Sequence, residues 1–106
     1  MTTPTCSTLT ILSKVKRSNA PGTWVTGVCL DHSFTALAFP VPAAEPAFEI
    51  RPGCRISKLE LRRGPLVLAN FDRGWDVNPG DSLAMHCVAC LVDSLADQVF
   101  GTAVLL

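Results

Sequence analysis

Leu9, Ile11, Ser13 and Val15 alternate with Thr10, Lys14 and Lys16, a period of two that predicts a half-buried strand with a basic outer face. Asn19-Ala20-Pro21-Gly22 reads as a turn. From Thr23 to Leu30 the alternation returns, with Trp24, Thr26, Val28 and Leu30 on one face and Val25, Gly27 and Cys29 on the other. Asp31-His32 fits a two-residue hairpin loop, because both residue types tolerate positive φ, and Ser33 to Phe39 runs back as a third strand. Pro40 to Gly53 carries Pro40, Pro42, Pro46 and Pro52, which excludes a helix or a central strand and predicts a long extended loop. Cys54 to Arg62 reads as a fourth strand whose parity slips between Ile56 and Leu59, the signature of a β-bulge near Ser57-Lys58. Leu66 to Phe71 is apolar on both parities, as in a central strand covered on both sides.

Asp72 to Gly80 reads as a loop, and Asp81 as the N-cap of a helix running to Phe100. Leu83, Cys87, Leu91, Leu95 and Val99 recur every four residues, Asp93, Asp97 and Gln98 mark the wet side, and Gly101 suits the C′ position. The order is β-β-β-loop-β-β-α. Residues 1–106 are therefore expected to form a single α+β domain, an antiparallel β-sheet of about five strands with one C-terminal α-helix packed on one face. Residues 1–7 are expected to be flexible and 40–53 to be a proline-rich loop.

Composition adds limits to that picture. Apolar residues make up 48% of 106, enough for a core, and nine Lys and Arg balance nine Asp and Glu. Zero net charge argues against direct nucleic-acid binding through a strong positive field. No charge-free apolar run reaches the length of a bilayer span, and the N-terminus lacks the pattern of a secretory signal. A cytoplasmic protein without a membrane association is expected. Five cysteines, an odd number, then favour reduced thiols. The charge is nonetheless unevenly spread: residues 1–63 hold eight Lys/Arg and four Asp/Glu, and residues 64–106 hold one Arg and five Asp. Arg51, Arg55, Lys58, Arg62 and Arg63 lie on or beside one strand, as a solvated face or as a contact for a partner.

Candidate chemistry is sparse. Cys29-x-x-His32 and Cys87-x-x-Cys90 supply four nitrogen and sulfur ligands that could close a tetrahedral zinc site. Against this, the second pair falls inside the expected helix, where small buried thiols on an apolar face are the ordinary outcome, so no metal and no cofactor is expected. Cys87 also falls too far inside that helix for its dipole to activate the thiol. Phosphate loop, nucleophile elbow and His-Glu-x-x-His motifs are all missing, and no catalytic residue is assigned. The densest stretch is Phe71-Asp72-Arg73-Gly74-Trp75-Asp76, with two aromatics, two carboxylates and a guanidinium in one connection. Asp72, Arg73, Trp75 and Asp76 join the basic cluster as candidate partner-binding residues, since Arg and Trp are enriched at interface hot spots. The alternative for Trp75 is that it fills the gap between sheet and helix.

Gly53 to Asp76, with Arg55-Ile56-Ser57-Lys58-Leu59 and then Asp72-Arg73-Gly74-Trp75-Asp76, resembles a family of small uncharacterised phage and plasmid proteins. Here Cys54 separates Gly53 from Arg55, a departure from that family's strand pattern. The resemblance implies a mobile-element context and supplies no catalytic residues. Taken with the missing catalytic constellation, it leads to the expectation of a small non-enzymatic protein-interaction module. Such a module would bind and modulate or inhibit a host protein complex, an anti-defence role such as anti-CRISPR being one version. Homodimerisation through a strand edge is compatible with this. The alternatives are a zinc-binding regulatory domain using Cys29, His32, Cys87 and Cys90, and a small-ligand binder with the 72–76 connection over the sheet.

Overall fold

In the computed structural model, which describes residues 8–101, six strands follow one another as an antiparallel meander. They are β1 (Leu9–Lys16), β2 (Thr23–Cys29), β3 (His32–Ala38), β4 (Ile56–Arg63), β5 (Leu66–Asp72) and β6 (Trp75–Val77), with α1 (Ser82–Phe100) last. The expected flexibility of residues 1–7 lies outside the described residues. The α+β architecture is as expected, with one strand more. That strand, β6, lies in the stretch expected to be a loop. Arg73 at φ 58° and Gly74 at φ 156° turn the chain within three residues, and Phe71 pairs with Trp75.

The inner face of the sheet carries the core. In register across β2 to β6, Val25, Ala36, Leu59, Phe71 and Trp75 form one row, and Gly27, Phe34, Leu61 and Ala69 form the next. Large and small side chains alternate, so α1 can settle against them. It does so with Ala84, Cys87, Val88, Cys90, Leu91, Val92, Leu95 and Ala96. The buried stripe thus begins at Ala84, while Leu83, expected on the apolar face, is 49% exposed. Asp81 caps the helix by accepting from the Ala84 amide at 2.8 Å, and Gly101 ends it at φ 80°. By length and composition alone α1 could cross a membrane; in this fold one apolar stripe of it covers the sheet, while Leu83 and Met85 stay exposed.

Among the described residues, four register shifts interrupt the sheet. Those at Leu61/Arg62 and Asn70/Phe71 leave Leu68 and Asp76 as extra residues, and two bulges in β4 and β1 set which side chains face the helix. Leu37 pairs with Lys58 but Ala38 with Ile56, which leaves Ser57 as the extra residue where the parity slip placed one. The second was not foreseen. In β1 the register skips Leu12, so Leu9 and Ile11 face inward with Cys29 and Gly27, while Ser13 and Val15 pair with Thr26 and Trp24 on the outer face. The β2–β3 hairpin also turns one residue earlier than expected, at Leu30-Asp31, with Leu30 rather than Asp31 at positive φ (55°). His32 consequently enters the strand and is buried. Nor is β5 covered on both sides: Leu66 is exposed and the outer face of the strand is half-buried.

The proline-rich segment, expected to hold no helix, makes one 3₁₀ turn at Pro46–Phe48, where a proline at the first position is tolerated. It is tied down at both ends. Glu49 is buried and accepts from the Ala43 amide at 3.0 Å and the Gly53 amide at 2.9 Å, so one carboxylate closes the loop on itself. Arg55, 3% exposed and at φ 66°, donates to the Pro40 carbonyl and the Gly101 carbonyl, both at 3.0 Å, and pairs with Asp97. Arg51 pairs with Asp93, one helical turn before Asp97, at 2.8 Å. Together these contacts lock loop 40–53 to the last turns of α1.

Candidate functional site

The face of the sheet that α1 does not cover holds the site. Register aligns Trp24, Leu37, Lys58 and Asp72 across β2 to β5 in one row, and Thr26, Thr35, Glu60 and Asn70 in the next. Side chains on alternate positions of a strand share a face, so these rows look away from the helix. A shallow depression of about 330 Å³ lies over them, lined by Trp24, Thr35, Lys58, Glu60, Asn70 and Asp72. Its charges are balanced, Lys58 lying 3.7 Å from Asp72, and Arg62 beside it donating to Glu60 at 2.5 Å. That hydrogen bond pushes the Arg62 guanidinium pKa up.

Lys58 also lines a second pocket, of about 320 Å³, where loop 40–53 folds back beside the sheet. Leu37, Phe39, Val41, Pro42 and Phe48 give it apolar walls, and Arg17, Lys58 and Arg73 stand around it. Among the described residues no carboxylate lines it. Two of the cations rest on its aromatics: the Arg17 guanidinium lies 5.8 Å from the Phe39 ring centroid and that of Arg73 lies 5.2 Å from Phe48. Such stacking holds the charged heads in place without neutralising them. Val41 and Phe48 remain 64% and 43% exposed, so the pocket is open at its mouth.

The residues expected from sequence fall into three groups. Lys58, Asp72 and Arg73 are on the outer face or its rim. Arg51 and Arg55 are turned to α1, and Arg55 is a clamp inside the fold, not a surface cation, because its guanidinium satisfies two carbonyls and Asp97. Trp75 is half-buried and packs on the edge of the core, its ring 5.2 Å from Phe71 at an interplanar angle of 74°. Arg62 is occupied by Glu60, whereas Arg63 and Asp76 are exposed and have no ion pair among the described residues. The basic cluster is therefore not one continuous positive surface. Arg17, Phe39, Val41 and Phe48 were not anticipated; an aromatic at position 48, exposed amid prolines, was the available signal.

The proposed zinc ligands do not assemble. Cys29, His32 and Cys87 meet in the core, where the Cys87 thiol donates to the Cys29 carbonyl at 3.3 Å and lies 3.7 Å from His32 Nδ1. Cys90 lies further along α1, beside His86 Nε2 at 3.5 Å. No group of three or more His, Cys, Asp or Glu side chains is placed to hold a metal ion among the described residues. Burial pushes the Cys87 thiol from 9.0 up to about 12, and the neighbouring Cys29 thiol and the charge of Asp81 add to this. Folded protein thus keeps a proton that the unfolded chain releases, so this contribution is complete below pH 9.0 and is lost as pH rises toward about 12. Urea titrations at neutral pH and near pH ~10.5 should show the loss, and Cys87→Val should reduce it. An equal pH dependence in the variant would assign the loss to other groups.

β1 is a long sheet edge, yet Lys14, Lys16 and the bulge at Leu12 guard it against pairing with another strand. That weakens the expected route to a homodimer.

A family model described as a domain of unknown function, DUF7678, matches residues 23–96, which span β2 through most of α1 and contain nearly all of the outer-face site. No curated protein and no solved structure matches the chain.

Proposed function

The chain belongs to the DUF7678 family, and on that premise we propose that it is a non-enzymatic protein-interaction module that takes its partner on the outer face of the sheet. The observation that supports this reading is the open apolar pocket between loop 40–53 and the sheet, contiguous through Lys58 with the polar depression beside it. Interfaces of this kind place a few anchoring side chains in a pocket and surround them with a polar rim. A loop held by Glu49 and Arg55 suits the role, since a preformed pocket costs little conformational entropy on binding. The version in which the partner is a host complex, met in the cytoplasm, and the role anti-defence rests on the motif resemblance.

Affinity capture from lysate, quantified by mass spectrometry, tests the reading when three baits are compared. Val41→Asp and Phe48→Asp place charge in the pocket mouth, and Leu12→Asp does the same on the β1 edge, where Leu12 is 67% exposed. We expect the pocket variants to lose the captured partner by about tenfold or more, as at a hot spot. Leu12→Asp should retain it. Equal capture by all three baits would remove the pocket from the interface.

A further inference from the structure

The charge around the pocket says more about its occupant than the shape does. Of the described residues lining it, three are cationic, none is anionic, and the rest are apolar apart from Ser57, the small Ala43 and Pro21 included. Elsewhere on the outer face Arg62 stands beside Glu60, and Lys58, at the edge of the pocket, lies 3.7 Å from Asp72. Arg17 and Arg73 instead stand over Phe39 and Phe48, and no carboxylate pairs with either among the described residues.

Arg17 is further fixed by donating from Nε, at 2.9 Å, and from Nη2 to the Pro21 carbonyl, which occupies that side of its fork, neutralises no charge and leaves Nη1 for a ligand. Arg73 is set by its backbone, at φ 58° and with its amide donating to the Ser57 carbonyl at 3.4 Å. Two oriented guanidinium groups flanking an apolar floor would repel a basic ligand, and they gain from carboxylates placed on either side of an apolar anchor.

We propose that the pocket binds an acidic peptide segment of a protein partner, with a leucine or aromatic side chain in the cavity and flanking carboxylates on Arg17, Arg73 and Lys58. This rests on the interaction-module reading and adds the chemistry of the partner. A nucleic acid offers negative charge as well, but its bases are flat and edged with polar groups, whereas the walls at Leu37, Val41 and Pro42 are aliphatic and suit a leucine or phenyl side chain. Exposed charge pairs contribute a factor of about two to five each, so two or three together give roughly tenfold discrimination.

The test is NMR titration of the full ¹⁵N-labelled chain with three short synthetic peptides. Each has a central Leu-Phe; the flanks are Asp and Glu, their amides Asn and Gln, or Lys. A thymidine oligonucleotide is the fourth probe. We expect saturable shifts at the amides of Phe39, Ala43, Phe48, Ser57 and Arg73 with the acidic peptide, about tenfold tighter than with the amide peptide. The Lys peptide should not bind. The preference should fall to about twofold in the Arg17→Gln, Arg73→Gln double variant and shrink between roughly 50 and 500 mM salt.

Equal binding of acidic and amide peptides at these amides would overturn the proposal while leaving the pocket as a protein-binding site. Tighter binding by the oligonucleotide, or saturable acidic-peptide shifts only outside the pocket, would also overturn it. Failure of every peptide would overturn it too; the bait comparison with Phe48→Asp then decides separately whether the module reading survives.

Discussion

Gly27→Ala is expected to lose about 3 kcal/mol or more of folding stability, or to yield no folded protein. A methyl group built on Gly27 would lie 2.2 Å from the Thr10 carbonyl oxygen and 2.8 Å from two atoms of the Phe34 ring. The first contact is with backbone, so no rotamer change relieves it; β1 would have to leave β2. Gly27 lets the Thr10 carbonyl come this close, and the register skip at Leu12 follows directly after. Thermal unfolding followed by Trp fluorescence should show a Tm lower by more than about 12 °C. The double variant Gly27→Ala, Phe34→Leu should not recover it, because the closer clash remains. A Tm within about 2 °C of the parent would mean that β1 does not sit as described.

That glycine also shows how far the sequence could be read. The alternation of Trp24 to Cys29 exposed the two faces of β2 because apolar and polar sets differ there, and the parity slip at Ser57 announced its bulge. Asp81 and Gly101 marked both ends of α1 by capping chemistry. The β1 bulge had no such mark. Leu9, Ile11, Ser13 and Val15 keep one parity, and only the extra residue at Leu12 moves the last two to the other face. β6 was hidden for a related reason: its turn puts Arg73, a residue type that seldom takes positive φ, at 58°. The Leu30 turn is the same case. As for the site, Lys58, Asp72 and Arg73 were visible as charges near an aromatic-rich turn. Arg17, Phe39 and Phe48 come together only when loop 40–53 folds back on the sheet, and nothing local in the chain encodes that distance.

Arg55 decides between two meanings of the basic cluster. As a clamp, its loss strands Asp97 and the carbonyls of Pro40 and Gly101, and Arg55→Ala should cost about 3 kcal/mol, the lower part of the range for breaking a buried pair because Asp97 is half exposed. Arg55→Gly should cost about 1 kcal/mol less than the alanine variant, since glycine relieves the residue's positive φ of 66°. Arg55→Lys should fall between glycine and the parent: it keeps the charge but has no planar fork to reach three acceptors. Urea unfolding of the series checks the order. The same series reads on function, because Arg55 holds Pro40 at the start of the segment that supplies Val41, Pro42 and Ala43 to the pocket wall. Arg55→Ala should therefore weaken partner capture in step with faster hydrogen exchange at the Ala43 and Gly53 amides, which Glu49 protects. A cation that touched the partner directly would behave oppositely: capture would fall while stability and exchange stayed at parental values. Full parental stability in Arg55→Ala would refute the clamp and return Arg55 to the surface.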